Sequence, residues 1–305
     1  MKSYLPLLIL LAVILSVTSG SAESFRFAPG DSLSYRAFSE LVRVRTIDGS
    51  PGPVDTTSTK TYYHISRTST GWTKTGQPVS IATRRNGQPV KNPIFNVLMD
   101  TEIIHTLDSN GLSVKVDGFD EVINKVEARA APLLAQAKAE LNPTRMARQD
   151  MAEWNSRMRP LVGRQLQLGP VTFETVSHEL PTGQEVDLYV AVALIDTMRI
   201  DDALCARVDF HSDTNLRRLA GTLGMNMDSL AVLVGVAPQE WPAAEANSIQ
   251  GSRQLVVEVG TLRSRSEHAY TETFLTARGP DGKPHEIAMQ ETKDTDYSYD
   301  TAVGK

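Results

Sequence analysis

Val186-Asp187-Leu188-Tyr189-Val190-Ala191-Val192-Ala193-Leu194 carries the cleanest alternation in the chain. Val186, Leu188, Val190, Val192 and Leu194 fall on one face, because successive side chains of a strand point to opposite sides. Ala191, Ala193 and Ile195 make the other face partly apolar as well, which predicts helices packed against it.

Outward from this strand the same period recurs. Leu204, Ala206, Val208 and Phe210 form a second inward face, paired with the first through a turn around Asp201-Asp202. Val171-Thr172-Phe173 starts another strand. Strands are predicted over Arg253–Val259, Leu262–Ala277 and Pro284–Asp296, the last two joined by the turn Gly279-Pro280-Asp281-Gly282. Nearer the N-terminus, Leu33, Tyr35, Ala37 and Leu41 alternate with Ser34, Arg36 and Glu40. Asp48-Gly49-Ser50-Pro51-Gly52-Pro53 reads as a loop, and Thr57 to Thr68 as the returning strand. Asn86-Gly87 is a tight-turn signal, since both residues tolerate positive φ. It joins Pro78–Arg84 to the segment from Gln88. Asp108-Ser109-Asn110-Gly111 turns between Thr101–Leu107 and Leu112–Val116, which places Leu112, Val114 and Val116 on one face.

Between these two groups of strands the period changes to three and four. Phe119, Val122, Ile123, Val126, Ala130, Leu133, Leu134, Ala137 and Leu141 make one helix stripe, with Pro132 set to kink it. Asn142-Pro143 ends this helix and starts the next, with Asn as cap and Pro at the first position. Ala147, Met151, Trp154, Met158 and Leu161 continue the helical spacing. Residues 119–162 therefore read as a helical hairpin packed on the sheet, and 213–235 as a further helical segment before an irregular Pro238 to Pro242. The expected fold is α+β: a single strongly curved antiparallel sheet, open or half-barrel, with an inserted helical hairpin and that further helical segment. No composition break marks a second domain, and no repeat marks a solenoid.

The N-terminus indicates export. Lys2 precedes the apolar run Leu5 to Val17, and Gly20-Ser21-Ala22 suits cleavage before Glu23. The run is short for a bilayer span of about 20 residues. The expectation is a signal peptide over 1–22 and a single α+β domain over 23–305, in the periplasm or outside the cell, with no stable transmembrane span after cleavage. The lack of a Cys after the run excludes a lipoprotein anchor.

Composition excludes several classes. The chain has 305 residues, 31 Lys+Arg against 36 Asp+Glu, and one Cys. One Cys allows neither an internal disulfide nor a Cys-rich zinc site. A net charge of −5 gives no general attraction for nucleic acid. The six His show no HExxH spacing, and GxSxG, GxxxxGK[ST] and GxGxxG are absent. Cys205 and His211 share a strand face but stand roughly 20 Å apart at about 3.3 Å per residue, so Cys205 reads as a half-buried structural cysteine. Asp294 to Asp300 alternates carboxylates, yet lacks the Gly and Glu of a calcium loop and reads as a solvated acidic tail. Leu216–Gly224 with Leu230–Val236 has a helix-turn-helix outline, but its second helix carries no Lys or Arg.

Pro29-Gly30-Asp31-Ser32-Leu33-Ser34-Tyr35, the element Leu107–Phe119 and the meander from Val257 to Tyr270 together resemble uncharacterised exported bacterial proteins of a domain-of-unknown-function type. The layout is also similar in outline to periplasmic lipoprotein carriers. Neither resemblance implies catalytic residues, a cofactor or a metal. The expected function is that of a non-enzymatic envelope protein with an apolar groove for a lipid or another hydrophobic molecule. Its lining would come from Met151, Trp154 and Met158 on the hairpin and from Leu188, Val190 and Val192 on the strand. The alternatives are a protein-protein interaction or structural protein of the cell envelope and, behind it, a hydrolase.

Overall fold

The computed structural model describes residues 24–91, 93–129, 142–169, 172–180, 184–241, 247–278 and 283–299. Its framework is one antiparallel sheet, twelve strands among the described residues, which does not close. The first meander comprises β1 (Ser32–Ile47), β2 (Ser50–Arg67), β3 (Trp72–Arg85), the short β4 (Gln88–Val90), β5 (Ile103–Leu107) and β6 (Ser113–Asp117). The second comprises β7 (Thr172–Glu179), β8 (Glu185–Ile200), β9 (Ala203–Asp213), β10 (Ser248–Glu258), β11 (Ser264–Arg278) and β12 (Pro284–Tyr299). The order is β6-β5-β3-β2-β1-β12-β11-β10-β9-β8-β7, with β4 on β3. Within each meander successive strands of this order are hydrogen-bonded, with β3 pairing β5 past the short β4, and the two meanders join where β12 pairs with β1.

Helices fill the connections. α1 (Pro93–Met99) follows β4; α2 (Phe119–Arg129) and α3 (Pro143–Met158) lie between the meanders; α4 (Leu216–Thr222) and α5 (Met227–Val234) follow β9. Asn142 caps α3, its side chain accepting from the Arg145 N–H, with Pro143 in the first turn. The helical residues expected over 130–141, Pro132 among them, lie outside the described residues, as do 1–23 and the turn 279–282. α2 buries Val122 and Val126 and packs on α3.

The main core joins Trp154, Met158 and Leu161 to Val192 and Leu194 of β8, Val208 and Phe210 of β9, and Leu255 and Val257 of β10. The opposite face of β8 is covered too: Ala191 packs with Leu216, Leu219 and Leu230 of α4 and α5. Cys205, expected to be half-buried, is fully buried and free.

Three expectations change. Strand β2 already begins at Ser50, so only Asp48-Gly49 forms the turn. From Asp55 onward β2 lies between β1 and β3; before it β1 is its only strand partner, and on such an edge Pro51 and Pro53 need not cost a ladder bond. The acidic tail is not a tail: Asp294–Tyr299 is the end of β12, paired with β1 throughout and with β11 as far as Asp296. Asp294 and Asp296 face outward, while Thr295 is buried and Tyr297 and Tyr299 are half-buried on the inner face. On β6 the buried residue is Ser113, and Val114 is 60% exposed.

Candidate functional site

A cavity of about 130 Å³ lies between α3 and the inner face of β1, β2, β3 and β12. Its floor follows from register. Tyr35 stands opposite Tyr63 on one side and Tyr299 on the other, so three tyrosines cross β2, β1 and β12 in one row. Tyr35 stacks on Tyr63 at 4.9 Å and leans on Tyr299 at 5.2 Å. Cross-strand aromatic neighbours of this kind fix register as well as fill space. Tyr63 faces Gly76 across the ladder, and a Cβ at Gly76 would stand 2.6 Å from the tyrosine ring. Glycine there lets the ring lie down along the sheet. Phe27 packs edge-on against Trp72 and Trp154, closing one end with aromatic surface.

α3 forms the roof. Trp154 is 5% exposed and donates from Nε1 to the Gly111 carbonyl at 2.8 Å. Asn155 brackets Ser113, accepting from its N–H at 2.8 Å and donating to its carbonyl at 2.9 Å. These three bonds seat the helix on the β5–β6 turn and on β6.

The roof also carries charge, and most of it is paired. Arg157 bonds Glu267 of β11 at 3.0 Å and Tyr297 at 3.1 Å, and Tyr297 donates to the same carboxylate. Arg253 of β10 lies 2.9 Å from the other oxygen of Glu267, whose side chain is 1% exposed. Burial works to raise the Glu267 carboxyl, but Arg157 and Arg253 hold it below the usual range. Lys293 of β12 donates to Glu153 at 2.8 Å and, by its charge, holds Glu153 well below the ordinary carboxylate value. His105 of β5 is buried between Asp150 at 3.1 Å and Ser113 at 3.1 Å; burial and the Lys74 charge push it below its usual value.

Lys74 of β3 differs. It is 5% exposed and lines the cavity. Its Nζ lies 4.4 Å from the Tyr63 ring centre and 4.6 Å from that of Trp154. Burial pulls its amine down to about 8.

Of the residues singled out from sequence, Trp154 and Met158 line the cavity. Met151 is half-buried one turn earlier on α3. Val192 belongs to the main core and Val190 packs on it, so these two meet Trp154 and Met158 in one apolar cluster. Leu188 packs elsewhere, with Leu180, Val186, Ile249 and Leu275. Sequence reasoning missed Lys74, Tyr63, Arg157, Glu267 and the Tyr297–Tyr299 pair. For Lys74 the sequence offers only its place beside Trp72 and Gly76 on one strand face, which by itself does not mark a buried lysine. Among the described residues no group of His, Cys, Asp and Glu is placed to hold a metal.

No family model matches the chain, and no curated protein matches it. Among solved structures, OccK8 (OprE) of Pseudomonas aeruginosa aligns at 7% identity and a TM-score of 0.16, covering 90% of this chain and 99% of that one. An outer membrane channel from Pseudomonas putida F1 aligns at 5% identity and a TM-score of 0.15, covering 92% and 98%. Likenesses this distant carry no argument about fold or function.

Proposed function

We propose that this chain is an exported, non-enzymatic envelope protein that binds a small hydrophobic or amphipathic molecule in the chamber under α3. The observation that carries the reading is the chamber itself: about 130 Å³, walled by tyrosines, Trp154, Leu33, Ile65 and Leu262 and roofed by one helix. Ligand sites are concave and mostly apolar, with a few placed polar groups. The charged side chains Arg157, Glu267, Lys293 and Glu153 are engaged with one another, which suits a rigid container better than acid–base chemistry. Export rests on Lys2, the Leu5 to Val17 run and Gly20-Ser21-Ala22.

A half-barrel shape of the sheet belongs to this reading. Laid flat, β5 and β8 would be roughly 38 Å apart at about 4.8 Å per strand. Leu107 of β5 and Val192 of β8 nevertheless belong to one core cluster. A strongly curved sheet around α3 accounts for that.

Two measurements test the proposal. N-terminal sequencing of the mature protein should begin at or near Glu23. Native mass spectrometry of protein purified gently from its host should show a bound mass that displaces a fluorescent fatty acid or a smaller apolar dye. Ala37 is buried on the floor, and Ala37→Leu should fill the chamber and abolish binding in a folded protein. Absence of any bound mass, together with no binding across lipids, organic acids and neutral apolar probes, would remove the ligand reading.

A second reading, as a protein-binding envelope component, has its own observation. α5 presents Val232 at 83% exposure beside exposed Leu233 and Met227. A partner lost on Val232→Glu, with the chamber empty, would favour it.

A further inference from the structure

We infer that the chamber's ligand is a compact organic anion held head-first on the Lys74 ammonium. This rests on the binding reading above and narrows it to a charge class.

Lys74 is a buried cation that lines the chamber and makes no hydrogen bond among the described residues. An ammonium carries three N–H donors and no acceptor. The faces of Tyr63 and Trp154 attract the charge from two sides, but they offer no lone pair. Among the described residues, no carboxylate, carbonyl or hydroxyl accepts a hydrogen bond from Lys74 Nζ. The nearby carboxylates are committed elsewhere: Asp150 to His105, Glu153 to Lys293, Glu267 to Arg157 and Arg253. Burying a charge without a hydrogen-bonded counterpart is costly, and strongly perturbed groups in a cleft cluster at functional sites.

The surroundings set the sign and size of the missing partner. Lys74, Arg157, Arg263 and Lys293 line the chamber against Asp150 and Glu153, so cations outnumber carboxylates there. The Tyr35 hydroxyl makes no hydrogen bond among the described residues and supplies a second donor on the floor. The wall also carries Leu33, Ile65, Trp154, Met158 and Leu262 beside the hydroxyls of Ser39 and Thr295, which suits an organic body with a polar end rather than a bare inorganic ion. A volume of about 130 Å³ is well below the roughly 300–1,000 Å³ of sites for drug-sized ligands, which points to a compact acid.

The test uses the mature chain and isothermal titration with two matched pairs, benzoate against benzamide and hexanoate against hexanamide. The carboxylates should bind at least tenfold more tightly than the amides at pH 7. Lys74→Met, with folding checked by near-ultraviolet circular dichroism, should erase that difference and leave amide affinity within about threefold. A second measurement needs no variant. Carboxylate affinity of the wild type should fall between pH 7.5 and 9.5 while amide affinity stays flat. The groups facing Lys74 are Asp150, Glu153 and Arg157 on α3, Tyr63 on β2 and His105 on β5. The carboxylates and His105 are shifted down, Arg157 is shifted up, and Tyr63 is pushed up to about 12, while Lys74 is pulled down to about 8 and so loses its proton within that window. Equal affinity for acids and amides, or a preference that survives Lys74→Met or shows no pH dependence, overturns the anion assignment and leaves the chamber as a neutral binding site. Failure of both series to bind overturns the assignment and the binding reading together.

Discussion

Replacing Trp154 by Ala should cost about 4 kcal/mol of folding stability. The indole is 5% exposed, and a buried tryptophan removes roughly 200 Å² from water, worth about 5 kcal/mol at about 25 cal/mol per Å². Its Nε1 bond to the Gly111 carbonyl adds about 1 kcal/mol. The Lys74 and Arg157 charges near the ring contribute a further ~0.5–1 kcal/mol each. Against this, water entering the enlarged chamber rehydrates Lys74 and recovers part of the loss. Measured large-to-small changes of this kind fall at about 3–5 kcal/mol. Trp154→Phe keeps most of the ring area but loses the N–H donor, and should cost about 1–2 kcal/mol. Urea titrations followed by far-ultraviolet circular dichroism measure both without relying on tryptophan emission. A cost below about 1 kcal/mol for the alanine variant would mean that α3 is not seated on the sheet, and the chamber would lose its roof.

Glu267→Gln should destabilise by about 3 kcal/mol in the same titration, because it leaves Arg157 and Arg253 buried without their counter-charge. Lys74→Met should stabilise by about 1–3 kcal/mol at pH 7: a fall from 10.5 to about 8 corresponds to roughly 3 kcal/mol of burial penalty at about 1.36 kcal/mol per pKa unit, and methionine carries none. By the same linkage, wild-type stability should rise relative to this variant from pH 8 to pH 10, since the unfolded lysine binds more protons there. Acid should weaken the fold. Glu267 and Glu153 are depressed from 4.5, so their contribution is complete above about that pH and is lost as pH falls through the lower folded values. The Glu153 side chain is 42% exposed, so Glu153→Gln should flatten that acid loss by less than about 1 kcal/mol, read from urea midpoints between pH 6 and 3.

The strands with one apolar face were legible from period alone. Val192, Leu194, Val208 and Phe210 stand in the core as alternation predicts, and Trp154 and Met158 follow from helical spacing. Composition misled where it was read before period. Three carboxylates in Asp294–Asp300 suggested solvent, yet Thr295, Tyr297 and Tyr299 alternate with them, on the inner face. Prolines at 51 and 53 suggested a loop because nothing local reveals that this part of β2 lies outside the ladder to β3. The chamber was largely hidden. Its floor joins Tyr35 and Tyr63 to Tyr299, and that register is set by pairing across nearly the whole chain. A lone lysine in β3 is solvated by default; only α3 overhead and Tyr63 alongside make Lys74 a buried cation.

The position of β12 bears on how the protein is made. Within the sheet, the two meanders meet only where β12 pairs with β1. Residues 284–299 are the last of the described strands to leave a ribosome or a translocation pore. Until they do, β1 and β11 each present a bare edge, the kind that invites pairing with other chains. Joining Tyr35 to Tyr299 closes a loop of nearly the full chain, a slow step by topology. The sheet is therefore completed only once β12 has emerged, and a holding factor would act on two finished but unjoined halves. A stop codon shortly before Pro284 would leave those halves apart, a substrate for proteases rather than a slightly shortened protein.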